Sequence, residues 1–187
     1  YKHLIVSPHY TKNTVVRMIN KEIENHKAGL PSGIKLKLNA ITNFEMIEKL
    51  YEASCEGVQI KMIVRGICCL IPGVIGMSEN IEVISIVDKY LEHPRVYIFE
   101  NGGNSSVYLS SADFMTRNIE NRVEVAVPIY NDILQKEILD VFEISWNDNV
   151  KARKINGSNQ NIFVKNSRNE IRSQWKIHEY YYEKSCS

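Results

Sequence analysis

The chain opens on an apolar run, His3-Leu-Ile-Val-Ser7, which Pro8 closes and which reads as a buried strand. Over 11–28 the residues Val15, Met18, Ile19 and Ile23 recur at helical spacing, with Thr11 as the expected N-cap and Gly29 as the stop. Ile34-Lys-Leu-Lys-Leu38 alternates, which predicts a strand with one wet face and solvated Lys35 and Lys37. A second helix is expected over 44–54, capped by Asn43, striped by Met46, Ile47, Leu50 and Tyr51, and ended by Gly57. A third strand covers 58–64. This order of strand and helix argues for an α/β layer with parallel strands.

The pattern then changes. Residues 65–76 form a loop rich in Gly and Pro yet apolar, and 81–87 reads as another strand. Arg95 to Phe99 and Ser106 to Leu109 predict an antiparallel hairpin that turns at 100–104, around Gly102 and Gly103. Arg122 to Val127 alternates as a strand that Pro128 is expected to end. A long helix fits 132–146, a polar Asn/Ser-rich loop fits 147–169, and a Tyr-rich helix fits 171–184.

Composition narrows the classes. At 187 residues and 44% hydrophobic, the chain supports one domain with a real core. A net charge of +1, from 23 basic and 22 acidic residues, gives no overall field for nucleic acid or anionic lipid. Nucleic acid is therefore not an expected partner, and an anion site has to be a local cluster of cations. No apolar run approaches the roughly 18 residues of a membrane span. The abrupt start reads as a piece of a longer protein. The cysteines, Cys55, Cys68, Cys69 and Cys186, have no CxxC spacing; they read as reduced intracellular thiols, two of them in or near the core.

The candidate chemistry concentrates in 91–117. GxxxxGK[ST] and GxGxxG are both missing from the sequence, which argues against Walker-type and Rossmann nucleotide sites. His93, Arg95 and Glu100 make a His-x-Arg-x4-Glu pattern. It is similar to the His-x-Lys-x4-Asp pattern of phospholipase D-type enzymes. Ser110-Ser111-Ala-Asp113 stands where those enzymes carry Gly-Ser-x-Asn. An imidazole can attack phosphorus or move a proton, a cation neutralises the non-bridging oxygens, and a carboxylate orients the ring. Arg replaces Lys, Glu replaces Asp, and Asp113 adds a negative charge unless it positions Arg117 or Arg122. Such a pattern favours binding phosphate over covalent catalysis. Arg65 closes the third strand and precedes Gly66, at the strand end where open α/β sheets bind ligands. His3, His9, His26 and His178 read as surface or rim side chains.

The runs LPSGIKLKLNAI, VRGICCLIPGV, SENIEVISIVDKYLEHPRVYIFENGG, VYLSSADFMTRNIENRVEVAVPI and VKAR together resemble the C-terminal portion of bacterial polyphosphate kinase. They cover most of the chain and resemble the second of that family's two phospholipase D-like domains. The resemblance implies an α/β, phospholipase D-like sandwich with a mixed, largely parallel central sheet flanked by helices. It places the domain at 1–155, with 156–187 as a polar loop and helix packed on it. It implies reversible transfer of the ATP γ-phosphate to inorganic polyphosphate through a phosphohistidine in another domain. ATP and ADP are then substrates, and Mg²⁺ is bound mainly outside this chain, with no metal ligand here. The implied partners are polyphosphate, the preceding domains of the same polypeptide and further copies in a homo-oligomer. The implied location is cytoplasmic, with peripheral association at the inner membrane. Arg65, in V-R-G, and His93, in L-E-H, would face the nucleotide phosphates, with His93 as a second catalytic residue. Arg95, Ser111, Asp113, Arg117 and Arg122 follow as neighbours of that site. The isolated fragment is expected to be inactive. Two other readings stand beside this one: a dimeric phospholipase D-like phosphodiesterase, and a non-catalytic module that packs on a sister domain.

Overall fold

The computed structural model describes residues 3–157, 161–165 and 169–186. The elements run β1 (Ile5–Val6), α1 (Thr11–Lys27), β2 (Ile34–Leu38), α2 (Phe44–Cys55), β3 (Ile60–Val64), β4 (Ile81–Ile86), β5 (Arg95–Phe99), β6 (Ser106–Ser110), β7 (Val125–Ile129), α3 (Asp132–Trp146), β8 (Ala152–Ile155), β9 (Ile162–Phe163) and α4 (Ser173–Ser185). The strands form one sheet in the order β1-β7-β6-β5-β2-β3-β4-β8-β9.

Helices cover both faces of this sheet. Val15 and Ile19 of α1 and Met46 and Leu50 of α2 pack with Leu36, Met62, Tyr97 and Phe99. On the other face Phe142, Ile138 and Leu139 of α3 meet Ile63, Ile84, Val96 and Ile98. The alternation of β5 is the reason: Tyr97 and Phe99 point one way, Val96 and Ile98 the other. Each fully buried aromatic of this kind stabilises by roughly 1.5–3 kcal/mol relative to exposure. α4 lies on α3, where the Tyr180 hydroxyl donates to Asp140 at 3.0 Å and Lys184 pairs with Glu137 at 2.8 Å.

The α/β class with flanking helices is as expected, but the sheet is not largely parallel. β2–β3 and β3–β4 are parallel, whereas β2–β5, β5–β6, β6–β7, β1–β7, β4–β8 and β8–β9 are antiparallel. The short β5–β6 connection forces that pair antiparallel, β7 adds to β6 antiparallel, and β5 occupies the open edge of β2. β1 is consequently displaced to the far edge, beside β7.

Several local expectations also change. β2 has no wet face, because helices lie on both sides of it. Lys37 is only 7% exposed, and its ammonium lies 2.6 Å from Glu92 and 3.3 Å from the Ser145 hydroxyl. Lys35 is half-buried against Glu100 at 3.0 Å. Thr11 is the first helical residue rather than the cap; its hydroxyl accepts from Ser7 at 2.7 Å, and Tyr10 holds the cap position. Asn43 caps α2 as expected, accepting from the Met46 N–H at 3.1 Å. Pro128 lies inside β7, because β1 pairs only with Val125 and Ala126 and leaves an open edge at the proline. Strands β8 and β9 occupy part of the segment read as a loop; 158–160 and 166–168 of that segment lie outside the described residues. The four cysteines are free, and only Cys68 is near the core; burial pushes its thiol up to about 11. Among the described residues no helix is long and apolar enough to cross a membrane.

Candidate functional site

The carboxyl ends of β2, β3 and β6 and the amino end of β5 share one rim of the sheet, because β5 runs antiparallel to both β2 and β6. Arg65 follows β3 directly, and its N–H donates to the Leu38 carbonyl at 3.2 Å. Its Nε donates to Asn39 Oδ1 at 2.9 Å, and its carbonyl accepts from the Ser85 hydroxyl at 3.1 Å. Gly66 is required next: its N–H donates to the Asn39 carbonyl at 2.8 Å, and a Cβ there would lie 2.9 Å from that oxygen.

Asn39 links Arg65 to the other half of the rim. Its N–H donates to Asp113 Oδ1 at 2.7 Å, and the Ala40 N–H donates to the same oxygen at 3.2 Å. The other oxygen, Oδ2, accepts from Arg95 Nη2 at 2.8 Å. Arg95 Nη1 in turn lies 2.9 Å from His93 Nδ1 and donates to the His93 carbonyl at 3.2 Å. A continuous hydrogen-bonded run therefore joins Arg65, Asn39, Asp113, Arg95 and His93. Burial alone would push the Asp113 carboxyl up. The Arg95 guanidinium and the two N–H groups outweigh that effect and hold it below the usual carboxylate range. Asp113 thus carries no free negative charge toward a ligand. It positions Arg95, not Arg117 or Arg122.

The bond between Arg95 and His93 also fixes a tautomer. A guanidinium has no acceptor, so Nδ1 of His93 accepts, and in the neutral ring the proton sits on Nε2. The exposed imidazole accordingly presents an N–H donor outward.

Other predicted members are held apart from this run. Ser111 is bonded to Glu124, and its Oγ accepts from the Val125 N–H at 3.1 Å. Arg117 opens a π-helical turn, Arg117–Asn121, and Arg122 caps it; both side chains are exposed and neither joins the run. Glu100 sits at the opposite end of β5, bonded to Lys35, and does not orient His93. Asn39 was not legible as a site residue, although its place just after β2, on the rim of Arg65, is a signal of the same kind. Among the described residues no group of three or more His, Cys, Asp or Glu side chains could hold a metal ion. Both oxygens of Asp113, the carboxylate of the run, are already committed. The rim therefore does not fit a resident Mg²⁺.

An open mixed sheet, helices on both faces and a His/Arg rim define a class of domain. Its backbone superposes on a phospholipase D family member, Nuc from Salmonella typhimurium, with a TM-score of 0.60 at 18% identity, covering 82% of this chain and 97% of that one. The fold is therefore phospholipase D-like. Within that class the chain belongs to the family described as polyphosphate kinase C-terminal domain 2, which it matches over residues 4–174. It is 48% identical over 181 residues to the polyphosphate kinase of Escherichia coli strain K12, covering 96% of this chain and 26% of that protein. Against the crystal structure of polyphosphate kinase from Porphyromonas gingivalis the TM-score is 0.93 at 43% identity, covering 97% of this chain and 28% of that one. The chain thus spans about a quarter of the length of the curated relatives it matches.

Proposed function

We propose that this chain is the part of a polyphosphate kinase that grips the phosphates of ATP and polyphosphate. The reaction is reversible transfer of the γ-phosphoryl group, through a histidine supplied by a preceding domain. The observation that carries this reading is the hydrogen-bonded run from Arg65 to His93. It fixes two guanidinium groups and one imidazole donor along a single rim. Fixed cations and donors aimed at phosphate oxygens stabilise the charge that shifts during phosphoryl transfer, and they need no rearrangement when it does. In the transfer, the bond from γ-phosphorus to the bridging oxygen breaks as one to the other domain's imidazole nitrogen forms. Arg65 holds non-bridging oxygens. His93, as an Nε2–H donor, hydrogen-bonds the phosphate oxygens and stabilises the charge that develops on them. A nucleophilic His93 would need a free lone pair on Nε2, so the tautomer disfavours the phosphodiesterase reading.

Mg²⁺, held mainly by residues outside this chain, belongs to the same proposal, as do a cytoplasmic location with peripheral inner-membrane association and homo-oligomeric assembly. So does the assignment of 156–187 to the same domain as 1–155; the α3–α4 contacts support it. The test is steady-state kinetics of the full-length protein carrying this domain. Arg65→Ala and His93→Ala should each lower kcat/KM for ATP by roughly a hundredfold, the scale of losing one charge-stabilising donor. Unchanged kinetics would leave only a packing role. Hydrolysis of a model phosphodiester that disappears in His93→Ala would instead establish the phosphodiesterase.

A further inference from the structure

The segment that leads into His93, residues 87–94, has neither strand nor helix of its own. What holds it is the start of α4. Arg172 donates to both oxygens of Asp88, from Nε at 2.8 Å and from Nη2 at 2.6 Å, and that guanidinium holds the Asp88 carboxyl below its usual range. Gln174 grips the main chain of Tyr90 in both directions. The Tyr90 N–H donates to its Oε1 at 3.0 Å, and its Nε2 donates to the Tyr90 carbonyl at 2.8 Å. The same Nε2 also donates to Glu92 Oε1 at 3.0 Å. The other Glu92 oxygen takes the buried Lys37 at 2.6 Å. Trp175 meets the Tyr90 ring edge-on at 6.0 Å, with the Lys89 ammonium 5.3 Å from each ring.

Residues 88, 90 and 92 are thus each tied to α4, and 92 is tied to the sheet as well. The next residue is His93. α4 itself contributes little to the core: among its described residues only Ser173 is buried. A helix with so little apolar burial gains little from packing alone, yet the residues opening it supply five hydrogen bonds to one short segment.

We propose that Gln174, anchored by Arg172, is a positioning residue for His93. The paired hydrogen bonds to Tyr90 imitate a strand pairing and set the path of the backbone. The bond to Glu92 then fixes the residue immediately before the imidazole. The geometry that lets Nδ1 accept from Arg95 and turns Nε2–H outward depends on that path. This inference rests on the reading of His93 as a phosphate donor, and its test separates the two.

The experiment uses the full-length protein carrying this domain, with histidine labelled selectively in nitrogen-15 and the His93 signals assigned by their loss in His93→Ala. In Gln174→Ala the His93 ring nitrogens should lose the single Nε2–H pattern and show mixed tautomers. kcat should fall about tenfold with KM for ATP nearly unchanged, the effect of a misplaced group rather than a lost one. Gln174→Ala/His93→Ala should be no slower than His93→Ala alone, because the two residues act through one group. Arg172→Lys keeps the charge but loses the two-pronged grip. It should give a weaker form of the same pattern, and it serves if Gln174→Ala does not fold. Unchanged His93 ring signals in a folded variant, or losses that multiply in the double variant, overturn the proposal. If His93→Ala itself leaves synthesis intact, the phosphate reading fails, while the ring signals still decide whether Gln174 positions His93.

Discussion

Asp113 carries the most consequence of any single residue at the rim. It binds two backbone N–H groups and one guanidinium, and with Arg95 it forms a pair whose side chains are 7% and 12% exposed. Removing one member of such a pair leaves the other charge without compensation, so Asp113→Asn should cost about 3 kcal/mol at neutral pH. The sign with pH follows from its depressed pKa in the folded state. The stabilisation is present above the unfolded carboxyl value of about 3.9 and is lost as pH falls through the lower folded value. Urea denaturation should therefore show the gap between wild type and Asp113→Asn closing at acid pH; a gap that stayed constant would mean Asp113 acts only through its shape. The same residue shows what could be read in advance. Arg65 and His93 were visible as strand-end residues, because a cation followed by glycine and a histidine two positions before an arginine are local patterns. That Asp113 serves Arg95, through the shared neighbour Asn39, depends on β2 lying next to β5. The letters of neither strand contain that adjacency.

Among the elements, the two capped helices make a useful contrast. Asn43 caps α2 and also donates to the Thr116 hydroxyl at 3.2 Å, while its N–H bonds the Phe114 carbonyl at 2.9 Å. The start of α2 is therefore fastened to the loop that carries Asp113. Asn131 is exposed, and its side chain serves α3 itself, accepting from the Ile133 and Leu134 N–H groups. An ordinary cap is worth about 1 kcal/mol. Asn131→Ala should lose about that much and Asn43→Ala clearly more, measured as shifts in the chemical denaturation midpoint; equal losses would show that the Thr116 link carries nothing. Helices α1, α2 and α3 and the β5–β6 hairpin were legible because the helical period, the Asn43 cap of α2 and the glycine turn are each set by a few neighbouring residues. β8 and β9 were not, since a strand of two to four residues in a polar stretch takes its identity from the edge it joins, here β4. The buried Lys37 was misread for a related reason: alternation says that one face differs from the other, not that the second face meets water.

For the whole molecule, the rim offers cations and an imidazole donor, and the imidazole bonded into it has its proton directed outward. On the proposed function, transfer through a phosphohistidine needs a second imidazole from elsewhere. The 187-residue chain alone should form no polyphosphate from ATP under conditions in which the full-length protein does, and product made by the chain alone would place the nucleophile here. The architecture has one more consequence. β5 puts His93 and Glu100 beyond opposite ends of a five-residue strand that is itself about 17 Å long at 3.3–3.4 Å per residue. Letters that look like one motif are in fact two addresses. The Gly102–Gly103 turn beyond Glu100 is exposed and lies on the rim remote from Arg65 and His93. The strand works as an insulating spacer, so a fluorophore or a fused reporter belongs at that turn, where it can report on the domain without touching its chemistry.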